Sequence, residues 1–320
     1  MGGYIFGSSG PFFNGRTMLG GPIDAGNVYY VNNSPTSAKG IEMTNRYGRA
    51  RYSDGSYALH QDDGTGAAII TAIAACKGGR NDYVILGNGT YTMTAGIDLA
   101  GKSSVHLLGQ GGSIMDVGAS SAVIIHQNGA YPALKMNAMC EVAGITFENC
   151  TGEEAIECPA NLAYNSIHHC TFRWQMSAGI NCINVLSNGM SWGTIFKNKI
   201  INWSGTSGGA AIYIGNAACW GVDVSYNDII CAGNNAVMDY GIFHTGLGAT
   251  VKYNNITESG GTGSANGGTI TVAISLGTDG CAIGNMCAVT ATQGLAGGTA
   301  SVSFVQNFDA ASGGATAITT

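Results

Sequence analysis

Charge is scarce along this chain of 320 residues: Asp, Glu, Lys and Arg together make up 10% of it, and none of the 13 basic residues follows Lys252. Recognition of a phosphate backbone needs clustered Lys and Arg, so this sparse set and a net charge of −6 exclude nucleic acid as the expected partner. Long apolar runs are missing too. The uncharged span 280–308 is broken throughout by Gly, Thr, Ser, Asn and Gln, and none of its segments reads as a membrane helix. The opening stretch MGGYIFGSSGPFFNGR has no basic leader followed by an apolar core, so it reads as no secretory signal and predicts folding in the cytosol. Ten cysteines are present without a C-x-x-C pair, mostly in apolar surroundings such as ITFENC and DIIC. That scatter predicts buried free thiols acting as small hydrophobes, with a few disulfides formed after release into an oxidising medium as the alternative.

What the chain has instead is glycine, 51 residues of it, and a repeat. The pattern apolar-x-x-Asn-x-apolar occurs as Ile195/Asn198/Ile200, Val224/Asn227/Ile229 and Val251/Asn254/Ile256. Looser copies follow at Ala282/Asn285/Cys287 and Phe304/Asn307/Asp309, and two earlier copies put Ile145 and Cys170 at the Asn position. The central positions recur every 22 to 31 residues, 27 on average. Between the motifs lie alternating segments rich in Ile and Val, such as GINCINV, AAIYIG and TITVAISL, bounded by Gly and Asn in the manner of strands.

A period near 27 suits two solenoids, a parallel β-helix and a leucine-rich repeat. Residues 105–320 hold only eight leucines, which decides for the β-helix. The expected fold is therefore all-β: a right-handed parallel β-helix of about ten turns, roughly 50 Å long at ordinary strand spacing. Asn198, Asn227, Asn254, Asn285 and Asn307 would form a structural ladder at one corner, satisfying backbone groups that a sharp bend removes from the sheets.

Ahead of the repeats, DDGTG offers capping chemistry for AAIITAIAAC, a good helix former with Gly78 and Gly79 to end it. Such a helix would cover the open end of the first coil. Together with VILGNGTY and LLGQGG, these pieces resemble the entry module of pectate-lyase-like right-handed β-helix proteins. The resemblance spans roughly residues 28–310 and implies architecture more than activity, because those proteins include lyases, hydrolases, phage tailspikes and non-enzymatic virion proteins. Three regions follow: an extended arm over 1–27, an entry region with the capping helix over 28–104, and β-helix repeats over 105–320. The region 32–60, with NRYGRARYSDG, holds four of the 13 basic residues and reads as a loop or contact surface.

Catalytic chemistry is thinly represented. A polyuronate lyase needs carboxylates for calcium and a base for the proton, yet residues 105–320 carry only five Lys and Arg. A glycosidase needs facing carboxylates, and Asp223 and Asp228 are expected on different sides of a turn. The N-T-D, D-D, G-H-G and R-I-K motifs of polygalacturonases do not occur within the coil. Glu153, Glu154 and Glu157 lie near His168 and His169 in sequence, but adjacent histidines on a strand should point to opposite faces, which weakens a metal site. No catalytic residue, metal or cofactor is assigned. Trp192 and Trp220, 28 residues apart, with Tyr226 and Tyr253 as a second column, are candidate glycan contacts if they stack on a flank. Tyr4, Phe6, Phe12 and Phe13, set among glycines, are candidate subunit contacts. The leading expectation is a non-enzymatic bacteriophage virion protein, a capsid decoration or a tail or fibre component, assembled in the host cytoplasm with other virion proteins and with itself. Trimers are common among virion proteins of the kind it resembles. The alternatives are a polysaccharide-degrading tailspike-like enzyme and a glycan-binding adhesin.

Overall fold

In a computed structural model of the chain, the described residues are 26–33, 36, 38–110, 122–149, 153–159, 162–174, 180–186, 190–202, 209–232, 236–258, 268–289, 293–297, 303–305, 307–309 and 316–318. They form a right-handed parallel β-helix with two short helices, α1 (Ala38–Tyr47) and α2 (Ala67–Ala75). Three sheets run along it, of eleven, ten and eight strands, here called sheets 1, 2 and 3. One coil passes through Thr194–Phe196 in sheet 1, Lys199–Asn202 in sheet 2 and Ala210–Ile214 in sheet 3, then returns to sheet 1 at Asp223–Ser225. Eight coils supply a strand to every sheet, and further strands extend the stack at both ends. All strand pairs are parallel save the last, where Thr316–Ile318 runs antiparallel to Asn307–Asp309.

The repeat explains the core directly. Side chains alternate across a strand, so the first apolar residue of each motif points inward from sheet 1 and the last points inward from sheet 2. Val142, Ile167, Ile195, Val224, Val251 and Ala282 are in register down sheet 1. Phe147, Phe172, Ile200, Ile229, Ile256 and Cys287 are in register down sheet 2, with the two phenylalanine rings stacked 5.3 Å apart. Sheet 3 adds Ile156, Ile183, Ile212, Ile242 and Ile274. All are buried in one continuous core, and each isoleucine removed from water contributes about 1.5–3 kcal/mol.

In six coils only two residues join sheet 1 to sheet 2, the first of them left-handed, and a second left-handed residue precedes the sheet 1 strand. In six coils the pairs are Met139 and Gly144, Tyr164 and His169, Trp192 and Lys197, Gly221 and Tyr226, Gly248 and Tyr253, and Asp279 and Gly284, always five residues apart. Short strands of three residues thus sit between two fixed reversals, which sets the width of this face.

Helix α2 covers the amino-terminal opening, burying Ala68, Ile69, Ala72 and Ile73. Its start is held from a distance: Asp62 Oδ1 accepts from Gly64 N (2.6 Å) and Gly66 N (3.1 Å), and Oδ2 accepts from Ala68 N (2.9 Å). The helix ends at Ala75, before Gly78, as Cys76 N turns back to the Ala72 and Ile73 carbonyls. Just beyond, the fully buried Asp82 accepts Arg80 Nε at 2.6 Å and Lys77 N at 2.8 Å, tying the exit of the helix to sheet 1. Helix α1 replaces part of the loop expected over 32–60. It is held by its surroundings, with Asn32 Nδ2 on the Gly40 carbonyl (3.2 Å) and the Tyr30 and Tyr47 rings stacked at 4.6 Å, contacts that no local pattern reveals.

Candidate functional site

The corner after sheet 1 is closed by asparagine amides. Asn254 uses every hydrogen-bonding position it has: Nδ2 donates to Val224 O and to Asn285 Oδ1, both at 2.9 Å, while Oδ1 accepts from Asn227 N (2.9 Å) and Asn227 Nδ2 (3.0 Å). Asn198, Asn285 and Asn307 occupy the same corner, their Nδ2 groups donating to Ile167, Val251 and Ala282 carbonyls at 2.9 Å. At the upstream end Cys170 takes the Asn place. Its backbone N still donates to Asn198 Oδ1 at 3.1 Å, and its Sγ faces the Val142 carbonyl at a long 3.9 Å. All five asparagines are buried. Fully engaged amides of this kind hold the bend and present nothing to a ligand.

What the corners do present is rings. Trp192, Tyr226 and Tyr253 are left-handed residues with φ of 55–56°, and Tyr164 has φ 58°. Trp192 is 59% exposed and Tyr164 63%, with Trp220, Tyr226 and Tyr253 close to half exposed. Tyr226 and Tyr253 stack, centroids 5.2 Å apart, because their 27-residue separation equals the coil step at that corner. Trp192 and Trp220 do not share a column. The left-handed partner of Trp192 in the next coil is Gly221, and a Cβ built there would fall 2.5 Å from Trp192 Cε3, so the indole lies over that glycine. Trp220 falls one position short and receives the Trp192 N–H on its carbonyl at 2.7 Å. Tyr4, Phe6, Phe12 and Phe13 lie outside the described residues.

Between the corners, the outer face of sheet 1 carries a titratable cluster that sequence spacing did not reveal. His106 Nδ1 lies 2.6 Å from Glu141 Oε2, His168 Nε2 lies 2.8 Å from Glu141 Oε1, and His106 Nε2 is 2.6 Å from Asn81 Oδ1. Burial opposes ionisation of Glu141, but the hydrogen bonds from His106 and His168 outweigh it and hold the carboxyl well below the usual carboxylate range. Tyr83 stacks on His106 at 4.3 Å and Phe196 on His168 at 4.7 Å, closing the cluster at both ends. The expectation that His168 and His169 face opposite sides is corrected here: the left-handed backbone at His169 (φ 52°) swings its ring back, and the two Nδ1 atoms stand 2.8 Å apart. The carboxylate that His168 joins is Glu141. Glu154 instead accepts from Asn184 Nδ2 (3.0 Å), and Glu157 pairs with Lys135 (3.5 Å). Among the described residues, no group of three or more His, Cys, Asp or Glu is arranged to hold a metal ion.

Further along this face Lys252 pairs with Asp223, while Asp228 stands on sheet 2 beside Lys199 (3.4 Å). The two carboxylates flanking Asn227 are thus on different sheets, each engaged by a lysine. Inside the solenoid, His244 is fully buried with its Nε2 unpartnered, and burial pushes it down to about 4. No helix among the described residues is long and apolar enough to cross a membrane. Searches with protein-family models, among curated proteins and among solved structures give no match to this chain.

Proposed function

We propose that this chain is a non-enzymatic structural protein of a bacteriophage particle, a capsid decoration or a tail or fibre component, of the pectate-lyase-like β-helix kind. In this role it assembles in the host cytoplasm with other virion proteins and with further copies of itself. The observation that supports this reading is the unbroken coil-to-coil ladder from Cys170 to Asn307, in which each amide is satisfied by the next coil. A solenoid stabilised by nearest-neighbour coils is a rigid spacer, suited to holding its two ends apart in an assembly. The polysaccharide-degrading alternative has less to stand on, because Asp223 and Asp228 occupy different sheets and each is paired with a lysine. Quantitative mass spectrometry of purified particles is the test. A fixed copy number per particle is expected, and recovery of the chain only as a soluble monomer from host cytosol overturns the reading.

A further inference from the structure

We propose that the outer face of sheet 1, between its two left-handed corners, binds an uncharged polysaccharide whose sugar rings rest against Trp192 on one side and Tyr226 on the other. This holds whether or not the chain belongs to a virion, since it rests on the corner residues and the strands between them.

The first support is strain without a folding reward. Glycine meets the backbone requirement at both corners in other coils, at Gly144, Gly221, Gly248 and Gly284. A bulky residue with φ near +55° is strained, and such strain concentrates at sites of function. Burial does little to offset it here, since about half or more of each of these side chains stays exposed. Each ring lies over the corner residue of the following coil, Trp192 over Gly221 and Tyr226 over Tyr253.

The second support is the chemistry of the strip between the rings. Its outward residues in this stretch are Thr194 and Phe196, Asp223 and Ser225, and Thr250 and Lys252, so hydroxyls and a neutralised Asp223–Lys252 pair surround one ring, Phe196, which is itself stacked on His168. A polyanion would want a cluster of cations not committed to carboxylates, and Lys252 is committed. A protein partner would want a contiguous apolar centre, whereas the apolar side chain between the rings, Phe196, is already stacked on His168 and is flanked by hydroxyls and a neutralised ion pair. The two corners bracket a strand of three residues, about 10 Å of extended chain, a gap that an oligosaccharide can bridge. Apolar C–H faces flanked by hydroxyl groups are what a neutral sugar chain presents, and aromatic faces with interposed hydroxyls match it.

Affinity electrophoresis of the full chain through native gels cast with dextran, mannan or a β-glucan tests this, with polygalacturonate as the anionic control. The variant pair Trp192→Gly and Tyr226→Gly keeps the left-handed corners in their easiest residue, so the fold is retained and the rings alone are lost. Lys197→Gly makes the same backbone change without removing a ring. Retardation by at least one neutral polysaccharide is expected for the wild type and for Lys197→Gly. The double variant should migrate as in a blank gel while its circular dichroism stays as in the wild type and its melting temperature does not fall below the wild-type value. The proposal is overturned if no neutral polysaccharide retards the wild type, if polygalacturonate retards it equally, or if the double variant is still retarded.

Discussion

Asn227 and Asn254, 27 residues apart in the chain, are joined twice: the backbone N of Asn227 donates to Asn254 Oδ1 at 2.9 Å and its Nδ2 donates to the same oxygen at 3.0 Å. Asn227 Nδ2 also donates to the Ile195 carbonyl at 2.9 Å, so one side chain ties three coils together. Asn227→Ala keeps the backbone donation to Asn254 but removes the two Nδ2 bonds, and it strands the Ile195 carbonyl and the Asn198 N–H in a buried corner. The expected loss is about 2–3 kcal/mol, the ordinary penalty for unsatisfied buried groups. Asn227→Cys should lose less, because Cys170 fills the same corner and still aims its Sγ at a strand carbonyl. Urea unfolding of both variants checks the order. Equal stability for Asn227→Ala and wild type would mean that the ladder does not carry the bend.

A histidine, His244, lies inside the core, in register between Ile214 and Leu276. Its folded value of about 4 lies below the model-compound value of 6.5. Between those limits the unfolded chain binds a proton that the folded chain refuses, so stability falls as pH drops from about 6.5 to 4. The difference corresponds to about 3 kcal/mol at the acid end. His244→Leu, matching its neighbour Leu276, should remove this slope. Unfolding free energies at pH 7, 5.5 and 4.5 give the comparison, and parallel pH profiles for wild type and variant would refute the assignment.

Thiol chemistry offers a separate probe of the interior. The nine described cysteines are free, and all but Cys281 are buried. Burial pushes Cys76, Cys170 and Cys231 up to about 12, far from the thiolate form that reacts. Iodoacetamide at pH 8 should therefore modify Cys281 alone among these nine in the native protein, and the rest only after denaturation. Peptide mapping reads this directly, and rapid native labelling of Cys170 or Cys231 would contradict a sealed core.

The inner columns were legible because two independent regularities coincide. Strand alternation fixes which residues of apolar-x-x-Asn-x-apolar point inward, and a two-residue corner fixes the spacing between Val224 and Ile229. The corner backbone was not legible, because Trp192, Tyr226 and Tyr253 stand where glycine would have signalled a left-handed residue. The same blindness misplaced His169 relative to His168. Trp192 and Trp220 misled by a single residue: the coil step at that corner is 29, from Trp192 to Gly221, so a separation of 28 shifts Trp220 out of the column. His106 and Glu141 meet across 35 residues, a separation outside the range of the repeat, and nothing in a period of 27 pairs them.

The left-handed corners make a prediction of opposite signs two residues apart. Lys197 has φ 53° and an exposed side chain, so its backbone is strained and its side chain returns little burial. Lys199 is two residues on, within the strand Lys199–Asn202 of sheet 2, where its backbone is extended. Glycine relieves the first position and weakens the second, because it adopts positive φ freely but loses more freedom in a strand. Lys197→Gly should match or exceed wild-type stability by up to about 1 kcal/mol, whereas Lys199→Gly should lose about 1 kcal/mol. Since both remove one lysine, net charge cancels from the comparison. Thermal unfolding of the two variants side by side decides it, and an equal loss in both would show that the corner at Lys197 is not left-handed.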